Sequence, residues 1–164
     1  VGAVRGGQAE AGITSDAVDS APLQLQPVAD DPLLLIVPPN HRLAARTAIR
    51  FAEVLGDTFV ALADGNALQE HIEDNARTLG RSLSPRIRMK TFEGVCEMVG
   101  HGIGIGIVPR SICRQHRRRY GFHAIALEDA WARRQLSLCF VRWNGLSRSM
   151  QSLLLHLGGH AVED

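Results

Sequence analysis

Apolar residues along this chain recur in two rhythms, and the rhythms take turns. Residues 3–8 read as the tail of a helix stopped at Gly6-Gly7, and Ala11 to Thr14 then reads as a short buried strand. Residues 15–22 are rich in turn formers, LQLQPV at 23–28 alternates like an exposed strand, and PLLLIVPP at 32–39 is a continuous apolar run bounded by prolines. A run without a polar face predicts a strand covered on both sides. TFVALADGN at 58–66 predicts a strand that ends in a Gly/Asn loop, with Asn66 placed to cap the helix after it. That helix, 67–79, carries Leu68, Ile72, Ala76 and Leu79 on one face and stops at Gly80.

The second half repeats the alternation. PRIRMKTF at 85–92 alternates as a strand, and Thr91 can cap a helix that turns Val95, Met98 and Val99 inward and ends near Gly100 and Gly102. IGIGIV at 103–108 predicts a buried strand, and Pro109 and Ser111 open a basic helix. FHAIAL at 122–127 and QLSLCFVRW at 135–143 are further strands. SRSMQSLLLHL at 147–157 closes the chain as a helix, capped by Ser147, with Met150, Leu153, Leu154 and Leu157 at i, i+3, i+4 and i+7. Short strands alternating with helices predict an α/β layered fold whose strands are mostly parallel.

Composition narrows the function class. The 164 residues are 45% hydrophobic and 21% charged, the balance of a globular chain of one domain or two small lobes. No apolar run approaches the length needed to span a bilayer, so no membrane role is expected, and the start of the chain lacks the basic and apolar regions of an export signal. Cys96, Cys113 and Cys139 are odd in number and set among apolar residues, as expected of reduced packing residues. A net charge of +1 gives the whole chain no electrostatic pull toward nucleic acid.

Four sequence features invite chemistry, and each has a plainer reading. GHGIGIGIVP at 100–109 suggests a dinucleotide loop, but its glycines leave a helix and enter a strand, the reverse of the nucleotide context, so no cofactor is expected. Gly100 and Gly102 are read as a turn, and Gly104 and Gly106 as places where a helix or a ligand comes close to the backbone. His156 and His160 have the spacing of helical metal ligands, but two glycines separate them, so a frayed helix end is expected and no metal site. RQHRRRY at 114–120 is read as the solvated C-terminus of a surface helix, and Trp131 and Trp143 as core or lobe-junction packing. No nucleophile elbow or paired carboxylates appear, so an enzyme is not expected.

In this order, AVRGGQAEAGIT (3–14), PLLLIVPPNHRLA (32–44), TFEGVCEMVGHGIGIGIVP (91–109) and WARRQLSLCFVR (131–142) resemble the effector-binding domain of LysR-type bacterial transcriptional regulators. The likeness covers nearly the whole chain, and Glu10 stands where the family usually carries an acid. It implies a fold like that of periplasmic binding proteins: two Rossmann-like α/β lobes joined by two crossing strands, with a ligand cleft. The first lobe would hold 1–35 and 144–164 and the second 36–143. The resemblance also implies that the chain lacks the start of its first lobe, that DNA is bound through an N-terminal winged helix-turn-helix absent here, and that the protein is a cytoplasmic homodimer or tetramer.

Small molecules bind open α/β sheets beyond the carboxyl ends of the strands. In this sequence that rule selects Thr14, Ser15 and Asp16, then Ala63, Asp64, Gly65 and Asn66, and finally Thr91 and Phe92. Helix N-termini favour an anion, so the expected effector is a small carboxylate or similar anion, with Thr91 and Ser15 adding hydroxyl donors. The competing reading is a stand-alone or exported solute-binding protein of the same architecture.

Overall fold

The computed structural model describes residues 1–15 and 22–162. Asp16, one of the candidate ligand residues, lies outside the described residues. In chain order the elements are α1 (Gly2–Arg5), β1 (Ala11–Ser15), β2 (Gln24–Asp30), β3 (Leu33–Val37), β4 (Ala48–Ile49), β5 (Val60–Leu62) and α2 (Ala67–Thr78). There follow β6 (Ile87–Met89), α3 (Phe92–Gly100), β7 (Gly106–Pro109), α4 (Arg110–Tyr120), β8 (His123–Leu127), β9 (Gln135–Phe140) and α5 (Arg148–His156). The chain divides into two compact units, Val1–Asp31 with Arg134–Asp164, and Pro32–Arg133. The division follows the pairing: β9 runs between β1 and β2 in the first unit, whereas β3 lies between β7 and β8 in the second. The two crossing points are tied together, since the Asp31 N–H donates to the Arg134 carbonyl at 2.9 Å.

In the second unit a four-stranded sheet, ordered β4-β8-β3-β7, carries a core on each face. β3 explains why its sequence shows no alternation. Leu33, Leu35 and Val37 point into one cluster with Phe51, Ile72, Ala76, Ile107 and Ile125, while Ile36 points into another with Val95, Val99, Val108 and Phe122. Helix α2 therefore supplies one cluster and α3 and α4 the other. Beside this sheet, β5 and β6 form a parallel pair in the register Val60↔Ile87 to Leu62↔Met89, joined to the residues before β7 by a bridge from Phe59 to Ile105. Trp131 packs edge-on against Phe51 at 5.1 Å and against His71 at 5.6 Å, all within this unit.

The first unit is a three-stranded sheet ordered β1-β9-β2. β9 has helices on both faces: Leu138 and Phe140 meet Trp143 and Leu154 of α5's side, and Cys139 meets Val4 of α1.

Several expectations need correction. The strands are mostly antiparallel: β9 opposes both neighbours, β3 opposes β7 and β8, and only β4 with β8 and β5 with β6 run parallel. The alternation of elements carries no direction, and β9 re-enters its unit from the other one instead of returning through a crossover helix. β1 is not buried, for Ile13 is 58% exposed. It is an edge strand, and α5 reaches only the Ala11 end of that face. Of the four positions expected to face inward, Leu154 is buried and Met150 packs, whereas Leu153 and Leu157, the latter just past α5, are exposed.

The segment just beyond α5, as far as His160, is not frayed. The His160 N–H donates to Gln26 Oε1 at 2.9 Å and the Gln26 Nε2 donates back to the His160 carbonyl at 2.8 Å. Gln26 thus lies buried on a strand that looked solvent-facing. Gly100 is the last residue of α3 and not part of a turn: a Cβ there would collide with the Tyr120 carbonyl, so glycine lets α3 and α4 meet. Gly102, at φ +78°, makes the turn. Gly106 faces α3, where its Cβ would stand 2.9 Å from Val95.

Candidate functional site

β5 and β6 run side by side, and both deliver the chain directly into a helix. After Leu62, Ala63 extends the ladder by donating its N–H to the Met89 carbonyl at 2.9 Å. Asp64 is exposed and Gly65 turns the chain at φ +80°, a conformation glycine enters without strain. Asn66 then caps α2, its side chain accepting from the N–H groups of Leu68 at 3.0 Å and Gln69 at 3.2 Å. After Met89, Thr91 caps α3 through its hydroxyl, which accepts from the Gly94 N–H at 3.1 Å. Gly94 packs closely beneath Met89, whose terminal methyl would have to shift to admit a Cβ there.

The outcome is two helix N-termini emerging from neighbouring parallel strands, with the capping loops Ala63–Asn66 and Thr91 next to each other. The first-turn N–H groups of each helix and the positive ends of their dipoles make this end of the unit attractive to an anion. Among the other candidates, Phe92 is half-buried and packs on the cluster around Val95 and Phe122. Thr14 and Ser15 belong to the first unit, where they pair with Ser137 and Leu136 of β9, and the Thr14 hydroxyl donates to the Ser15 carbonyl at 3.3 Å.

Two residues that the sequence reading did not single out hold the loop in place. Gln69, 5% exposed, accepts the Leu62 N–H through Oε1 at 3.0 Å and donates to Glu73 at 2.9 Å. Arg88 of β6 donates to the Leu62 carbonyl at 3.1 Å and pairs with Asp64 at 3.2 Å and Glu73 at 3.1 Å. Both backbone groups of Leu62, the residue before the loop, are therefore held by side chains. Glu73 lying four residues after Gln69 on α2 was the available signal. In Gln69→Ala the buried Leu62 N–H loses its acceptor, at a cost of about 1–3 kcal/mol. Thermal melting should fall by several degrees. An unchanged midpoint would show that Gln69 holds nothing.

Burial accounts for the cysteines. It pushes the Cys96 thiol up to about 12, helped by Cys113 and Glu93, and it also raises Cys113, so neither is a ready thiolate. Glu10 has a local role: its carboxylate accepts from the Ser147 hydroxyl at 2.8 Å and N–H at 3.2 Å, placing negative charge at the start of α5. Among the described residues no helix is long and apolar enough to cross a membrane.

Known proteins with this sequence pattern and this fold agree with one another. The family described as LysR substrate binding domain matches residues 1–161. The RuBisCO operon transcriptional regulator of Allochromatium vinosum is 28% identical over 118 residues, which span 72% of this chain and 39% of that protein. The regulatory domain of CcmR from Synechocystis, solved in complex with 2-PG, superposes with a TM-score of 0.81 at 17% identity, covering 95% of this chain and 75% of that one. The effector binding domain of QuiR in complex with shikimate gives 0.73 at 15% identity, covering 98% and 78%. The chain spans well under half the length of the curated relative it matches, and its fold is that of LysR effector-binding domains. With a family match running from the first residue almost to the last, the chain belongs to the LysR substrate-binding domain family.

Proposed function

We propose that this chain is the effector-sensing domain of a LysR-type transcriptional regulator, binding a small anionic metabolite, a carboxylate in the simplest case. Binding would control DNA contacts made by a winged helix-turn-helix elsewhere in the protein. The observation that supports the reading is the pair of helix N-termini at Asn66 and Thr91, set at the carboxyl ends of two paired parallel strands. A carboxylate there accepts from first-turn N–H groups of α2 and α3, and the Thr91 hydroxyl, already an acceptor for Gly94, has a proton left to donate. Ala63, Asp64 and Gly65 shape one side of this seat and Phe92 the other. Thr14, Ser15 and Asp16 are assigned to the same ligand because the sequence places them at the carboxyl end of the first strand, and the family likeness supports assembly into a homodimer or tetramer and a cytoplasmic location. The ligand is sensed and not converted.

A thermal-shift screen of small carboxylates, amino acids, sugars and neutral aromatics tests this reading. A carboxylate at 100 times its Kd should stabilise the fold by about 2.7 kcal/mol, raising Tm by roughly 5–10 °C. Thr91→Ala should lower the unliganded stability by the value of a cap, about 1 kcal/mol, and should also shrink the ligand-induced shift in Tm. A neutral sugar as sole hit, or an undiminished shift in Thr91→Ala, would refute the anion and the seat together.

A further inference from the structure

Helix α4 carries five arginines, Arg110, Arg114, Arg117, Arg118 and Arg119, and no acidic residue in its eleven positions. One of them has a clear structural task. Arg119 pairs with Glu93 of α3 at 3.0 Å, where the Tyr120 hydroxyl also donates at 2.9 Å, so this side of the helix is bound to its neighbour. Cys113 marks the buried line of the helix. Arg114, Arg117 and Arg118 lie elsewhere, at i, i+3 and i+4, on a common exposed stripe, with the half-buried Arg110 one turn before it.

Helix electrostatics explains only the C-terminal part of that stripe. Cations at the C-terminus gain from the dipole, which accounts for residues 117 to 119. Arg114 sits in the middle, where the dipole gives nothing, and Arg110 sits in the first turn, where it opposes a cation. Like charges at i, i+3 and i+4 also repel. Among the described residues no ion pair joins Arg114, Arg117 or Arg118 to a carboxylate, whereas Arg42, Arg46, Arg50, Arg77, Arg88 and Arg119 each have one. α2 shows what an ordinary solvated helix face looks like in this protein, with Asp74 and Arg77 paired on its own surface.

We infer that the Arg114–Arg117–Arg118 face of α4 is a docking surface for the phosphate backbone of duplex DNA. Membership of a family of DNA-bound regulators supplies the polyanion, and the spacing supplies the fit. Neighbouring positions on the stripe are about 5–6 Å apart at Cβ, and long guanidinium arms there can reach successive phosphates on one strand. Contact of this kind carries no sequence information; it would hold the sensing domain against DNA bound elsewhere in the protein. The inference is independent of the effector seat, which involves the starts of α2 and α3 and not the exposed side of α4.

The test is fluorescence anisotropy with a labelled random-sequence 30-base-pair duplex, comparing the chain with R114Q/R117Q/R118Q and with R81Q/R86Q/R148Q. The second triple removes equal charge from exposed arginines outside α4. Three phosphate contacts give a slope of log affinity against log salt near −2.7, a loss of about 40-fold between 50 and 200 mM salt. The α4 triple should abolish most of that slope with unchanged melting, and the control triple should retain it. The inference is overturned if the chain does not bind duplex at 50 mM salt, if the two triples lose affinity equally, or if the α4 triple keeps the slope. Stronger binding to polyglutamate than to duplex would also overturn it, naming an acidic polypeptide as the partner.

Discussion

Phe51→Ala should lower the stability of the second unit by about 3–5 kcal/mol, the cost of emptying a fully buried ring position. Phe51 is fully buried in a short 3-10 turn between β4 and β5. Its ring stands edge-on to Phe59 at 6.4 Å and to Trp131 at 5.1 Å, and its N–H donates to Asp129 at 2.8 Å. Alanine keeps the backbone hydrogen bond and empties the ring's volume, so the loss is one of packing and cavity. The two tryptophans make the measurement specific, because Trp131 lies in the second unit and Trp143 in the first. With Trp143→Phe as background, denaturation followed by Trp131 fluorescence should show the midpoint falling sharply. A shift below about 1 kcal/mol would mean that the turn repacks and that Phe51 is not central to this core.

Gly104 gives the second large effect, from the opposite cause. A Cβ at this position would lie 2.5 Å from the Thr58 carbonyl oxygen and 3.2 Å from its carbon. Both are backbone atoms in a bridge closed by Ile105 N–H to Thr58 O and Val60 N–H to Ile105 O, each 2.8 Å. Neither can retreat without breaking the bridge that fixes β5, the strand leading into the Asn66 loop. Gly104→Ala should therefore cost the upper end of the roughly 1–3 kcal/mol of overpacking, and Gly104→Val more. Gly56→Ala is the control: nothing lies within 4 Å of its Cβ and its φ is not in the left-handed range, so it should be neutral or stabilise by up to about 1 kcal/mol. Equal melting of the Gly104 and Gly56 variants would remove the close approach from consideration.

What the sequence disclosed and what it withheld follow from the reach of each signal. Asn66 and Thr91 were legible because a cap acts within three residues, and β3 because a strand buried on both faces loses its polar positions. Gln69 and Arg88 were missed for the converse reason. Gln69 is a polar residue on an amphipathic helix, buried because its amide meets a strand end seven residues back, and Arg88 looked like the polar side of an alternating strand. Gln26 likewise became a core residue only through a chain segment 134 positions away. Strand direction was misjudged because it depends on how the chain passes between units, which no local pattern records. The candidate ligand residues of the first unit rest on their place at the end of a strand, since Thr14 and Ser15 cap no described helix.

The hydrogen bond from Asp31 to Arg134 gives the second unit the topology of an insertion. Pro32–Arg133 leaves and rejoins the first unit at adjacent points, so its two ends are already neighbours and the interruption of β2 and β9 is local. An inserted domain of that kind can be gained, exchanged or circularly permuted without reordering the core it interrupts. The first unit has no such freedom, because its sheet is assembled from segments on either side of Pro32–Arg133. Its β1 and β2 pair with β9 only after the whole of Pro32–Arg133 has been synthesised, so the inserted unit can be folded before the sheet that it interrupts is complete.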